Sequence, residues 1–362
     1  MKGYKPTSLL FVFCFLIVMS GCSPYTENNI VEEIAPVIFW SIKNDPNGQL
    51  SITTLVPPLI KETKQTFTLK VDLIKQGGKE FNLKYYRELK TGQLRMLFIN
   101  KELAFKGIRT LINTLFTDPD VSSRLYIVIV DGDFEAYLKN QLSKQPSLDY
   151  FLYRMLKHYE KYNQGDMSIV NLHEFMKQLY SPFQDPILPV FKADKNNFTY
   201  EGTALFHGDK LKTTINNMDD QIFQLLGNDR YVKLLALPKQ KLVLGRVRSK
   251  VEFRLDQTTK VLHVTDQING RLEEYQGNKN LLNQSELSSL NKEVEVYLEH
   301  ETTELLKNMQ KEKVDPLQIG LLTTSPFFER MTSKEWKDQW ENIKLDVHFS
   351  LKIQPVTTGN KM

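Results

Sequence analysis

Eleven residues near the C-terminus constrain the fold of this chain more than any other stretch. Ile343, Leu345, Val347, Phe349, Leu351 and Ile353 alternate with Lys344, Asp346, His348, Ser350 and Lys352. Successive side chains on a strand point to opposite faces, so this pattern predicts a long strand over 343–354 with one face buried and one in water. Upstream, Leu287, Leu290, Val294, Leu298, Leu305 and Met309 recur at helical spacing. They predict one helix over 285–314, about 45 Å long at 1.5 Å per residue, stopped by Asp315-Pro316. Strand and helix signals of this strength in one region call for an α+β or mixed α/β architecture of sheets packed with helices.

The rest of the chain carries shorter signals of both kinds. Val37 to Ile42 and Leu50 to Val56 read as strands around an Asp45-Pro46-Asn47-Gly48 turn, and Phe67 to Ile74 with Phe81 to Tyr86 reads as an antiparallel pair about Gly77-Gly78. Ala104, Ile108, Leu111, Ile112 and Leu115 lie on one helical face, and Arg124 to Val130 is a continuous β-branched run suited to a buried strand. Helices follow over 147–162 and 171–180, the second opened by Asn171 with Glu174 three residues on, a capping-box spacing. Three X-Pro pairs at Ser181-Pro182, Asp185-Pro186 and Leu188-Pro189, then Lys195-Asn196-Asn197, place the main boundary near residue 197. Beyond it come a strand pair over 198–211, a helix from Asn217 to a Gly227 cap, and strands near 241–246, 249–256 and 261–268. This gives an N-terminal mixed α/β domain over 30–197, with room for two subdomains, and a C-terminal α+β domain over 198–358.

The N-terminus says where the chain goes. Lys2 and Lys5 precede an apolar run from Leu9 to Met19, followed by Ser20, Gly21 and Cys22. That layout is a secretory signal, and its 11 apolar residues fall well short of the ~20 a membrane-spanning helix needs. Ending on Ser-Gly-Cys is the form of a bacterial lipoprotein signal, with 1–21 removed and a diacylglyceryl group on Cys22. Buried acyl carbons contribute about 0.8 kcal/mol each, so two or three chains hold a protein stably on a membrane without crossing it. Residues 22–29 are polar and aperiodic, as a tether would be. The other cysteine, Cys14, leaves with the signal, so the mature chain has no disulfide, no Cys-based zinc site and no thiol nucleophile. Once Lys2 and Lys5 are gone the formal charge of +4 falls to +2, too little for a nucleic-acid footprint.

Chemistry-bearing patterns are sparse. His173-Glu174 and His300-Glu301 start like zinc-protease helices, but Lys177 and Glu304 stand where the second histidine belongs. The remaining histidines, at 158, 207, 263 and 348, suggest no ligand set, and no nucleophile-elbow, phosphate-loop or dinucleotide signature occurs. Asp131-Gly132-Asp133 follows the buried run and could serve as a metal or sugar site or a hydrolase centre; a turn glycine with a helix-capping aspartate explains it better. Tyr150, Phe151, Tyr153, Tyr159 and Tyr162 could form an aromatic recognition stripe, although aromatics at helical spacing are more often core and rim. Trp336 and Trp340, four apart on a short helix, share a face that either packs on the last strand or forms an interface patch. No cofactor and no catalytic residue is implied.

Several strings, taken in order, resemble the C-subunit family of spore germinant receptors, the GerC-type germination lipoproteins. They are Phe98 to Ala104 with Gly107, Leu125 to Asp131, Tyr200 to Phe206 with Asp209-Lys210-Leu211, Asp315 to Gly320, and the Trp336/Trp340 segment leading into the alternating strand and Gly359. Ser23-Pro24 after the lipidated position, Asn100-Lys101-Glu102 in the first string and Trp40-Ser41 at the end of the first strand depart from the common pattern and mark a divergent member. The resemblance implies a non-enzymatic, lipid-anchored subunit on the outer face of the spore inner membrane. It would assemble there with a multi-span A subunit and a transporter-like B subunit that detect nutrients. Only Cys22 carries over with a defined chemical role. A lipid-anchored extracytoplasmic solute-binding protein is the alternative that the anchor and the α/β pattern also allow.

Overall fold

The computed structural model describes residues 33–57, 64–162, 167–227, 231–324 and 331–354. The signal segment 1–21, the tether 22–29 with Cys22, and Gly359 lie outside the described residues.

The first part of the chain runs β1 (Ile34–Pro36), β2 (Phe39–Asn44), β3 (Leu50–Val56), β4 (Gln65–Val71), α1 (Ile74–Lys84), β5 (Glu88–Lys90), β6 (Met96–Asn100), α2 (Lys101–Lys106) and α3 (Arg109–Phe116). It continues through β7 (Tyr126–Gly132), α4 (Phe134–Leu142), α5 (Leu148–Tyr162), β8 (Val170–Asn171), α6 (Leu172–Leu179), β9 (Ile187–Ala193), β10 (Phe198–His207), β11 (Lys210–Asn216) and α7 (Asn217–Leu226). Among the described residues these strands form a nine-stranded sheet ordered β11-β10-β9-β7-β6-β2-β3-β4, with β8 beside β7 and with β1 and β5 paired separately. The middle pairs, β2–β6, β6–β7 and β7–β9, are parallel, and both flanks are antiparallel. Parallel strands need covered faces. One face packs on α1, α2, α3 and α6 through Phe81, Leu103, Ile112 and Phe175, and the other on α4 and α5 through Phe134, Leu138 and Leu152. The apolar run read from Arg124 to Val130 is the centre of this sheet: Leu125 to Val130 are all buried.

The second part has β12 (Tyr231–Leu237), β13 (Leu242–Asp256), β14 (Val261–Tyr275), α8 (Gln284–Lys311), α9 (Ser333–Trp340) and β15 (Lys344–Gln354). The four strands form one sheet in chain order, antiparallel except for β14 and β15, which α8 joins as a parallel crossover. The alternating strand is therefore β15, an edge strand with Val347, Phe349, Leu351 and Ile353 turned inward. Its free edge is not left bare. Glu299 and Glu295 of α8 accept hydrogen bonds from the backbone N–H groups of Phe349 (3.2 Å) and Leu351 (2.9 Å), which blocks pairing with another strand.

Two expectations need correcting. The hairpin read at Phe67 to Tyr86 is a strand followed by a helix: β4 turns into α1, which buries Ile74, Gly77 and Phe81 on one face. Gly77 is buried in that helix beside Val71 and Ile52, where a Cβ would make ordinary van der Waals contact. The strands read separately at 241–246 and 249–256 are one 15-residue strand with a bulge, where Gly245 pairs with Arg271 and Arg248 with Asn269. Residue 197 lies in the tight turn between β9 and β10, so the large sheet runs through it to Asn216. Smaller differences are physical too: Gly107, at φ 115°, splits the helix read across 104–115, and Gly227 ends α7 in extended rather than left-handed backbone. The long helix ends at Lys311, followed by a turn with Lys313 at φ 57°.

One buried charge site sets a pH dependence. Asp266 on β14 is fully buried, and burial pushes its carboxyl up to about 7. Ser249 Oγ lies 2.8 Å from Asp266 Oδ1 and 2.9 Å from the Leu225 carbonyl oxygen. One hydroxyl proton cannot serve both acceptors; a protonated Asp266 donating to Ser249, which donates to Leu225, satisfies the chain. The folded state thus keeps a proton that the unfolded chain, with an ordinary aspartate, releases near pH 4. The contribution of Asp266 to stability therefore falls as pH rises from about 4 to about 7, each pH unit of separation being worth about 1.4 kcal/mol. Asp266→Asn keeps a neutral group there and should flatten this fall in chemical unfolding between pH 4.5 and 8; parallel profiles for the two proteins would refute the assignment.

Candidate functional site

The Asp131-Gly132-Asp133 turn resolves as structure. Asp133 caps α4 by accepting from the Ala136 N–H (2.9 Å), and Asp131 pairs with Lys101 at 2.6 Å. Gly132 sits at φ 99°, where a Cβ would come within 2.2 Å of the Ala193 carbonyl oxygen. His173 follows the Asn171 cap on α6, and Asn171 accepts from the Glu174 N–H at 2.9 Å as its spacing predicted. Among the described residues no group of His, Cys, Asp and Glu side chains could hold a metal ion, and no helix is long and apolar enough to cross a membrane. Tyr153 and Tyr159 pack toward the sheet beside Tyr126 and Phe191, while Tyr150 and Phe151 are exposed. The side chain of Tyr162 lies outside the described residues.

The strings singled out in the sequence come together at three joints. Gly107, between α2 and α3, is approached by Asp209: a Cβ would lie 2.7 Å from Asp209 Oδ2. Asp209 in turn accepts from the Arg109 N–H (3.2 Å) and Nε (3.3 Å), and its own carbonyl accepts from the Ile108 N–H. In the second joint Tyr200 and Thr203 each donate at 2.7 Å to the buried carboxylate of Asp220 at the start of α7. Burial raises the Asp220 carboxyl, against those two hydrogen bonds, and burial and the neighbouring carboxylate raise the Tyr200 phenol. Between these residues Gly202 lies against β11, where a Cβ would meet the Ile215 carbonyl oxygen at 2.0 Å.

The third joint ties the two sheets together. Asp185 and Asp315 bond reciprocally: the Asp185 N–H donates to the Asp315 carbonyl (3.0 Å), and the Asp315 N–H donates to Asp185 Oδ2 (2.9 Å). Asp185 Oδ1 accepts from the Gly208 N–H and faces Lys337 Nζ at 3.3 Å and His207 Nδ1 at 3.8 Å. Asp315 gathers the Ile319 N–H, the Gly320 N–H and Trp336 Nε1 at 2.7–3.0 Å. Burial still outweighs these donors and pushes the Asp315 carboxyl up to about 6. Burial also lowers His207, helped by the Lys337 charge, so the imidazole is neutral at pH 7.

Trp336 and Trp340 share a face of α9 as their spacing predicted, but not as an interface patch. Each is 1% exposed, their ring centroids lie 5.4 Å apart, and both indole N–H groups are spent internally, Trp340 on the Val314 carbonyl. Gly320 makes room for Trp336, since a Cβ there would lie 2.7 Å from the indole. Asp185 and Lys337 escaped sequence reading: a lone aspartate in a proline-rich loop and a helical lysine carry no spacing signal. This arrangement supplies rigid connection between the two sheets.

A chain whose described chemistry is spent on holding its parts together matches known proteins over almost its full length. Residues 27–193 match the spore germination protein N-terminal domain, and residues 201–356 match the spore germination B3/GerAC-like C-terminal domain. The protein belongs to this family of spore germination proteins. The spore germination protein GerQC of Bacillus cereus is 24% identical over 272 residues, which cover 73% of this chain and 75% of that one. The crystal structure of the GerBC protein superposes with a TM-score of 0.50 at 13% identity, covering 88% of this chain and 97% of that one, and so shares its α+β fold.

The reciprocal bond makes a direct prediction. Asp185→Ala leaves the Asp315 and Gly208 N–H groups without their acceptor and Lys337 without its carboxylate. It should cost about 2–4 kcal/mol in chemical unfolding, with hydrogen-exchange protection lost first at Asp315 to Gly320. Unchanged exchange in that segment would show that the joint is incidental.

Proposed function

We propose that this protein is the C subunit of a germinant receptor and acts in receptor assembly and nutrient-triggered germination. It is anchored through a diacylglyceryl group on Cys22 to the outer face of the spore inner membrane, beside a multi-span A subunit and a transporter-like B subunit. The observation that carries this reading is the pair of family matches, which follow one another in order over residues 27–193 and 201–356. The two matches meet between residues 193 and 201, which supports a division near residue 197, with β10 and β11 beyond that point completing the first sheet. The relative named as a spore germination protein points the same way.

A non-catalytic role fits the residues that the resemblance singled out. Gly107 with Asp209, Tyr200 and Thr203 with Asp220, and Asp315 with Trp336 are each occupied in joining distant segments. A solute-binding lipoprotein would hold its ligand between two similar α/β lobes, whereas a nine-stranded sheet covered by helices here adjoins a four-stranded one.

The test is gentle detergent co-purification of the tagged chain from dormant spore inner membrane, with partners identified by mass spectrometry and Cys22→Ala as control. Recovery of multi-span A- and B-type subunits is the expected result, with the Cys22→Ala protein released from the membrane and recovering less of both. A chain that stays on the membrane yet purifies alone would overturn the reading.

A further inference from the structure

The second sheet has one face packed on α8 and one open to solvent, and the charge on the open face is not evenly spread. At one end, β13 projects Arg246, Arg248 and Lys250 outward, β14 projects Arg271, and β15 adds Lys352, which stands in register with Asn269 and Arg248. The bulge in β13 shapes this end. Between Gly245 and Arg248 the strand carries one residue more than β14 does between Arg271 and Asn269, and Arg246 takes up the excess at φ 52°. An extra residue of this kind bends a strand and re-aims its side chains. The result is a concavity of about 370 Å³ lined by Arg246, Arg248, Asn269, Gly270, Arg271 and Gln354.

Its charge is poorly compensated. Glu273 is the carboxylate at hand, and it engages Arg271 through Nε (3.0 Å) and Nη2 (2.6 Å), holding that guanidinium in place. Arg246 and Arg248 make no ion pair or side-chain hydrogen bond with any described residue. Three guanidinium groups around one hollow repel one another and present several directed N–H donors each, and an anion seated there would relieve the repulsion and occupy the donors. Planar, permanently charged guanidinium groups match the oxygens of phosphate in pairs, and Asn269 and Gln354 supply neutral hydrogen-bonding groups at the rim.

We propose that this hollow is a binding site for a phosphate group, with Arg246 and Arg248 as its principal ligands and Arg271 as a third, pre-positioned by Glu273. The volume admits a phosphate ester as readily as the free ion. The same chemistry is offered by a phospholipid headgroup and by soluble phosphate. Because arginine does not titrate in the accessible range, capture by the protein persists across neutral pH and weakens with added salt.

The full chain in detergent is titrated calorimetrically with pyrophosphate, with dihexanoyl phosphatidylglycerol, and with dihexanoyl phosphatidylcholine as the zwitterionic control. Arg246→Gln, Arg248→Gln and the double variant are compared with Arg254→Gln, an exposed arginine farther along β13. Binding of at least one anionic probe is expected, about tenfold weaker for each of the two guanidinium groups removed and unchanged in Arg254→Gln. Pyrophosphate binding alone assigns a soluble phosphate, phosphatidylglycerol alone a lipid headgroup, and both the shared phosphate chemistry. No binding of either anion, equal binding of phosphatidylcholine, or undiminished binding in the double variant would overturn the proposal. Arg246 and Arg248 are exposed, so normal thermal unfolding of the variants is expected and separates lost binding from lost fold.

Discussion

The structure depends on two buried aspartates that hold each other's backbone. Carboxylates taken out of water are costly unless every oxygen finds a donor, and two of them side by side also repel. Asp185 and Asp315 meet that demand with separate sets of donors, the Asp315 N–H, the Gly208 N–H and Lys337 for the first and the Ile319 N–H, the Gly320 N–H and Trp336 for the second. One anchors the loop between α6 and β9, the other the turn after the 28-residue helix α8, and the backbone of each bonds to the other residue. Trp336 closes the arrangement from α9, and Gln310 extends it by donating to the carbonyls of Trp340 and Ile343 just before β15 begins. The start of the last strand, the end of the long helix and the last loop of the parallel sheet core are therefore positioned by one polar cluster. Apolar burial fills the space around it, with Phe183, Ile319, Trp336 and Trp340 in the same core.

The strings through which the chain resembles its family carry this kind of work, which explains why they contain so little catalytic chemistry. A glycine is required at 107 because an aspartate one hundred residues away comes against it, and at 320 because an indole does. Tyr200 and Thr203 sit three apart on β10 across the irregularity between Tyr200 and Gly202, which lets both hydroxyls reach one carboxylate. Such positions tolerate few alternatives because each is fixed by a close contact or a buried hydrogen bond. A short string can therefore persist as a family mark while encoding a joint rather than an active centre.

How much of this was legible in the sequence follows from the range of the interactions. The period-two run at 343–353, the β-branched run ending at Val130 and the helical repeat within 285–314 are local patterns with one dominant face, and each became the element its period implies. The Phe67 to Tyr86 segment failed because paired glycines are a turn signal in isolation, whereas α1 buries Ile74, Gly77 and Phe81 on one face against Val71 and Ile52. The burial of Trp336 and Trp340 was half visible: their spacing gave a common face, but the pocket that receives it is assembled from the Val314 to Gly320 turn and from Phe183 in a distant loop. Asp185, the bulge at Gly245 to Arg248 and the continuation of the first sheet past residue 197 depend on long-range pairing and left no periodic trace.

The second sheet shows how these constraints leave one surface for other uses. Its inner face is committed to α8, and its β15 edge is closed by Glu295 and Glu299, so neither sheet stacking nor strand addition is open there. The outer face must then carry polar side chains on every second residue, and most of its cationic ones gather at the bulged end of the sheet. His263, Asp346 and His348 cluster at one end, where Asp346 lies 2.6 Å from His263 and 3.0 Å from His348, and the arginines gather at the other around the bulge. A sheet face with opposite ends of unlike character is polarised, so anything charged that meets it is oriented as well as attracted. Bending β13 at the basic end converts that polarity into a hollow, which a flat alternating strand could not have formed.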